Sequence, residues 1–197
     1  MIIFLILGIL IIYLGFTQLR VKRLIEDMPT SKVRSLAMGP VEVVGEAHSL
    51  GLTCTDPVSG RECIGYHIQI TSEKKTISEN RMQPFILDDG TGRVLVPAMN
   101  MTIEVHGEAE KSPGIKALLR NKGRPSDSTV KYSAIFPGDK VYVLGTAMDN
   151  PGVMEGSGVE NTTDIVIGPK MGRPFFISKS SIEGIGKEFL NKALLAF

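Results

Sequence analysis

Three groups of side chains have the types and spacing that chemistry asks for. Cys54 and Cys63 bracket a run of turn formers, Asp56, Pro57, Ser59 and Gly60, so a hairpin there would bring two sulfurs together. Two neighbouring sulfurs can ligate a metal, form a disulfide or pack as thiols. Asp88 and Asp89 are adjacent carboxylates in the run DDGTG, and paired carboxylates serve acid–base chemistry or hold cations. Arg20, Lys22 and Arg23 form a basic cluster suited to anionic head groups, each cation contributing about 1 kcal/mol at such a surface.

Each group also has a plainer reading. Two cysteines exclude a four-thiolate zinc site within this chain, and a Cys2His2 site would need both His48 and His67, at a spacing that matches no zinc finger. A disulfide needs an oxidising compartment, whereas the basic flank points to a reducing one, so Cys54 and Cys63 are expected as a thiol pair packed at a hairpin. In the acidic turn, Gly90 and Gly92 supply backbone freedom and Asp88 and Asp89 bond to the backbone. A cation would want more oxygen ligands than this turn offers, and no second acidic cluster is visible, so neither a metal nor a cofactor is expected. Arg20, Lys22 and Arg23 are equally well read as a solvated helix end.

Signatures of enzymes were sought along the whole chain. It has no G-x-S-x-G, no H-E-x-x-H, no Walker loop and no dinucleotide fingerprint. Gly184, Gly186 and Lys187 resemble the tail of a phosphate loop, but Glu188 stands where a Ser or Thr belongs. A hydrolase would need a cleft joining Asp88 or Asp89 to one of three scattered histidines, and the expectation leans away from an enzyme. Asn100 and Asn161 sit in N-x-T sequons, which matter only for an outward-facing domain.

The elements that would position these groups begin with residues 1–19, whose first sixteen read MIIFLILGILIIYLGF without charge or proline. At the helical rise they span about 28 Å, close to the thickness of a hydrocarbon core. A signal peptide would carry its basic residues before the apolar run rather than after it, and a core helix would show a polar face. The segment therefore reads as an uncleaved, single-pass transmembrane helix. Residues 20–29 continue as a juxtamembrane helix or linker that Pro29 should end. The basic flank places the following domain on the cytoplasmic side.

Beyond Gly39 the period changes to two. Val41, Val43 and Gly45 alternate with Glu42, Val44 and Glu46, and the V-x-V-x-G-x-A pattern returns over residues 103–109 and 141–147. A strand that kinks at glycine as a barrel turns a corner explains the pattern better than a duplicated unit. Further strands are expected over residues 64–70, 84–87, 93–96, 164–167 and 174–178. Residues 71–82 are polar and read as a hairpin tip or loop. Residues 110–134 read as an excursion with a short helix over 115–120, and residues 150–161 as a Gly-rich loop.

The 197 residues include 22 Lys and Arg against 21 Asp and Glu, for a formal charge of +1. A balance this even gives no broad electrostatic footprint for nucleic acid. Without Trp, and with aromatics at 6%, stacking platforms for single strands are few. Glycine (21) and proline (11) favour strands joined by tight turns.

Taken in order, residues 30–47 (TSKVRSLAMGPVEVVGEA), the CIGYHIQI strand, residues 84–97 (PFILDDGTGRVLVP), residues 137–147 (PGDKVYVLGTA) and PFFIS resemble the GIDE domain. This "beside a membrane" domain occurs in mitochondrial membrane-anchored RING-type E3 ubiquitin ligases and in bacterial and archaeal relatives. The resemblance implies a β-rich domain over residues 30–180 held against a membrane. In the ligases a RING carries the activity and needs about eight Cys or His ligands. This chain holds two cysteines and three histidines, so the ubiquitin-transferase label would be inherited from the shared domain without a RING to support it. The mitochondrial relatives place the domain in the intermembrane space, against the cytoplasmic side implied by the basic flank.

The expected fold is mainly β, a partly open Greek-key or OB-like barrel with short helical excursions, between the membrane helix and an amphipathic C-terminal helix over 181–197. The expected role is a non-catalytic binding or scaffold module on the bilayer with a protein partner. Its expected contact routes are a free strand edge or residues 110–134. The alternative is an OB-type binder of nucleic acid or another anionic ligand at the membrane, with nucleic acid disfavoured on composition.

Overall fold

Alternation of apolar and polar residues is realised in eleven strands and one α-helix among the described residues. They are β1 (Gly39–Ser49), β2 (Cys54–Thr55), β3 (Glu62–Cys63), β4 (Gly65–Ser72), β5 (Lys75–Met82), β6 (Phe85–Asp88), β7 (Arg93–Val96), α1 (Pro113–Asn121), β8 (Thr129–Ile135), β9 (Lys140–Asp149), β10 (Ile165–Gly168) and β11 (Phe176–Ser178). The structure is a computed structural model that describes residues 30–72, 75–97, 112–150, 165–171, 173 and 175–179. The expected membrane helix over 1–19, the segment 20–29 with Arg20, Lys22 and Arg23, the strand over 103–109, nearly all of the loop 150–161 and the C-terminal helix lie outside these residues. Among the described residues no helix is long and apolar enough to cross a membrane.

The barrel runs in the order β1-β6-β7-β10-β9, and β9 returns to β1 over the eight pairs from Gly39↔Ala147 to Glu46↔Lys140. The barrel is therefore closed, not partly open as the sequence suggested. Numbered along the chain, its five strands are arranged 1-2-3-5-4-1, with β7 and β10 as the parallel pair and the other pairs antiparallel. A five-stranded Greek-key barrel of this kind is the OB-fold architecture.

Its interior follows from period two. Val43 on β1, Phe85 and Leu87 on β6, Val94 and Val96 on β7, Val141 and Val143 on β9 and Ile167 on β10 have no exposed surface. Burying each side chain of this size contributes about 1.5–3 kcal/mol. β11 adds Ile177 to the same core by pairing with β9 at Val143.

A second sheet, β5-β4-β8, takes β4 and β5 from the connection between β1 and β6 and β8 from the connection between β7 and β9. Tyr66, Ile68 and Ile70 of β4 and Val130 of β8 share a cluster with Ile115, Leu118 and Leu119 of α1. The helix starts at Ser112, whose hydroxyl accepts from the Ile115 amide, with Pro113 in the first turn where no intrahelical donor is needed. It stops at Gly123, in the left-handed region at φ 60°, while the Arg124 amide returns to the Leu119 carbonyl.

Two expectations need correction here. Residues 71–72 and 75–82 are strand, with Ser72 paired to Lys75 and Gly65 to Met82. β5 is an edge strand whose Lys75, Thr76, Ser78, Asn80 and Arg81 are exposed, so it lacks the apolar alternation that marks a strand. In the excursion expected over 110–134, the described residues 112–134 hold the expected short helix and, from Thr129, strand in place of loop. α1 buries one face, and β8 pairs with β4 from Thr71↔Thr129 to Gly65↔Ile135.

Candidate functional site

Three local arrangements bear on function. The first is the corner built by β2 and β3, where Cys54 lies directly across from Cys63 with the sulfurs 3.1 Å apart. Both are free thiols, and Cys54 also donates to the Cys63 carbonyl at 3.4 Å. Cys63 is fully buried while Cys54 is half-buried. Burial first, then the hydrogen bond from its partner and the charges nearby, pushes the Cys63 thiol well up.

The turn of that hairpin is organised by Asp56, a carboxylate without exposed surface. Its oxygens accept from the Val58 amide at 3.2 Å, the Ser59 amide at 2.9 Å, the Ser59 hydroxyl and the Tyr132 phenol at 2.7 Å. Burial alone would raise its pKa. The hydrogen bonds from Ser59 and Tyr132 and those from the two amides outweigh it, and the carboxyl sits below its ordinary range. The Asx turn is legible in the run DPVSG. Tyr132, 76 residues away, carried no signal that it would complete it.

The second arrangement is the β6–β7 turn. Asp88 accepts from the Gly90 amide and from Arg93 Nε, both at 2.9 Å. Asp89 accepts from Thr91 amide and hydroxyl at 2.8 and 2.7 Å, from the Gly92 amide at 3.1 Å and from the Val33 amide at 3.0 Å. Both carboxyls titrate below the usual range. For Asp88 the Arg93 bond leads, and for Asp89 burial opposes but the Thr91, Val33 and Gly92 donors prevail. These oxygens are committed to holding the turn and the short 3-10 helix Val33–Ser35. His48 sits beside Asp88 on the barrel surface, with its Nε2 turned to Glu46 at 3.9 Å. Among the described residues no three His, Cys, Asp or Glu side chains gather as a metal centre.

The third arrangement is the outer edge of β5, which pairs with no other strand among the described residues. Because the hairpin closes on Ser72 and Lys75, the alternate residues Thr76, Ser78 and Asn80 turn their backbone groups away from β4. The strand is held from behind by Glu79, which accepts from the Tyr66 phenol at 2.7 Å and from Lys122 after α1. The Tyr66 phenol is pushed up to about 12 by burial and by its bond to Glu79.

Comparison of the chain with protein-family models, with curated proteins and with solved structures returned no match. Strand order alone does not assign an activity, so function must be argued from these sites.

Proposed function

We propose that this chain is a membrane-tethered, non-catalytic binding module that holds a partner protein by taking an extended segment of it onto the edge of β5. The observation that carries the reading is the outer side of that strand, which no described residue pairs. Outward donors and acceptors at Thr76, Ser78 and Asn80 stand on a strand fixed from behind by β4 and by Glu79. A rigid exposed edge is the surface that strand addition uses, with main-chain hydrogen bonds giving affinity and alternate side chains giving selectivity. The apolar leader and its basic flank support the tether, with the domain on the cytoplasmic side. The ordered resemblance to the GIDE domain supports a role beside a bilayer.

The test is a comparison of proteins captured from membranes by full-length wild type and by Ser78→Pro. Proline removes one outward N–H and leaves the β4–β5 ladder bonds in place. Loss of specific partners with the variant still in the membrane fraction supports the reading. An unchanged partner set overturns it, and recovery of the wild-type chain in the aqueous fraction without detergent overturns the tether.

The OB-like strand order also raises the oligonucleotide reading. In OB-folds the second and third strands present the binding face. Here the residues alternating with the core positions of β6 and β7 are Ile86, Asp88, Arg93 and Leu95. None is aromatic, so this face lends that reading no support.

A further inference from the structure

The strand pair β2–β3 puts Cys54 directly opposite Cys63, with the sulfurs 3.1 Å apart. Residues opposite each other in an antiparallel pair have Cα atoms about 4.5–5.5 Å apart, inside the range of about 4.4–6.8 Å that a disulfide spans. Closing the sulfurs to the covalent distance of about 2.05 Å therefore asks for side-chain movement and no new backbone path. The turn between them is already held. The Asp56 amide donates to the Arg61 carbonyl at 2.9 Å and the Gly60 amide to the Asp56 carbonyl at 2.8 Å, with Gly60 in the left-handed region at φ 72°. The Tyr132 phenol fixes the Asp56 carboxylate from β8. A Cβ on Gly114 would collide with the Val58 carbonyl, so the turn also rests against the first turn of α1. The two sulfurs differ in access: Cys54 is half-buried, whereas Cys63 lies inside the cluster that holds Tyr66, Ile115, Leu118 and Leu119. The chain has no other cysteine.

We propose that Cys54 and Cys63 are a reversible oxidation site, closed by a small-molecule disulfide of the glutathione type into a cross-strand disulfide that locks the β2–β3 hairpin. Cys54 is the point of entry. Its thiolate, formed by loss of the proton to solvent, attacks one sulfur of the oxidant. A bond from Cys54 to glutathione forms, the oxidant's own S–S bond breaks, and one glutathione leaves as a thiolate that takes a proton from solvent. Cys63 then loses its proton to solvent and attacks Cys54 Sγ, which forms the Cys54–Cys63 bond and expels the second glutathione. Two thiols of the chain are oxidised, and one disulfide is reduced to two thiols. Burial keeps external disulfides from Cys63, and the 3.1 Å approach makes its attack on Cys54 intramolecular. The raised Cys63 thiol slows that second step. For the same reason the reduced pair gains none of the thiolate stabilisation that makes a disulfide strongly oxidising. In a reducing compartment the pair rests as thiols and responds to a shift of the surrounding thiol–disulfide balance. The site uses no residue of β5 and holds whether or not the partner reading does.

The experiment equilibrates the full-length chain in non-ionic detergent with mixtures of reduced and oxidised glutathione, once folded and once in urea, followed by acid quenching, alkylation and peptide mass spectrometry. The measure is the squared concentration of reduced glutathione over that of the oxidised form at which half the chain carries the intramolecular disulfide. Because the fold holds the sulfurs together, this value should be about tenfold or more higher for the folded chain than for the unfolded one. Dithiothreitol should restore both thiols. In the oxidised chain the Asp56 and Gly60 amides should exchange with solvent more slowly than in the reduced chain. Cys63→Ala should instead retain one glutathione on Cys54. An equal or lower value in the folded chain, accumulation of the mixed disulfide in wild type, or a bond between two chains overturns the site, and unchanged exchange at both amides overturns the lock. The folded and unfolded wild-type values decide the matter even where Cys63→Ala fails to fold. Ser78→Pro should oxidise as wild type does, which keeps this outcome distinct from failure of the partner reading.

Discussion

The Tyr132 phenol donates to the Asp56 carboxylate at 2.7 Å, tying β8 to the turn between β2 and β3. The carboxylate is buried, and removing one donor leaves a charge that water cannot reach. Tyr132→Phe is expected to cost about 1.5–3 kcal/mol, the range for hydrogen bonds to charged groups. The pH dependence has a fixed sign. Asp56 is depressed in the folded chain, so its contribution is complete above the unfolded carboxyl pKa of about 3.9 and is lost as pH falls through the lower folded value. The gap between wild type and Tyr132→Phe should be constant from pH 5 to 8 and shrink below about pH 4. Denaturant unfolding across that range measures it, and a gap unchanged down to pH 2 would remove Asp56 as its cause.

Cys54 and Cys63 face each other at 3.1 Å yet differ in exposure. The thiolate is the nucleophile, and Cys63 is buried with its thiol pushed up, whereas Cys54 keeps partial access. Iodoacetamide at pH 8 should label Cys54 first, with Cys63 reacting only after unfolding. Peptide mapping by mass spectrometry reads the order. Equal labelling of both thiols in the folded chain would refute the arrangement at this corner.

How much of this could be read from the sequence depended on where each residue's partner lies. The β6–β7 hairpin was legible because DDGTG is local, and both carboxylates bond within the turn apart from the Val33 amide. The meeting of Cys54 and Cys63 was legible for the same reason, since eight intervening residues form one turn. β5 was not legible, because an edge strand with solvent on its side chains has no apolar stripe to show. β8 was missed because its Val130 and Ala134 are buried against β4 and α1 and its Ile135 in the barrel core, by elements separate from it in sequence. Barrel closure is wholly non-local, set by β1 meeting β9 about a hundred residues later.

Asp89 joins the turn to the 3-10 helix Val33–Ser35 through the Val33 amide at 3.0 Å, and Arg34 adds its amide to Thr91 Oγ1 at 3.3 Å. Asp89→Ala removes four hydrogen bonds accepted by one side chain, three of them inside the turn. The expected cost is about 2–4 kcal/mol, short of four independent bonds because water replaces the exposed ones. Hydrogen exchange should show the Val33 amide losing protection while the amides of β4 keep theirs. If Val33 stays protected in the variant, the clamp is not what holds this segment.

Gly45 and Gly145 occupy the same place in two V-x-V-x-G-x-A strands, and the structure gives them different reasons to be glycine. Neither lies in the left-handed region, so conformational freedom is not the cause. A Cβ on Gly45 would collide with the backbone carbonyl of Asp88, where β6 crosses β1 at the Glu46↔Asp88 pair. A Cβ on Gly145 would meet Ile167 Cγ2 at 2.7 Å and the Phe175 ring at 2.8 Å, which are side chains able to shift. Backbone cannot yield without opening the β1–β6 seam, whereas side chains can repack at a cost of about 1–3 kcal/mol. Gly45→Ala should therefore destabilise the barrel more than Gly145→Ala does and should expose β6 amides to exchange. The melting temperatures of the two variants decide it: equal losses, or a larger loss at Gly145, would mean that the close approach of β6 to β1 is not what requires glycine there.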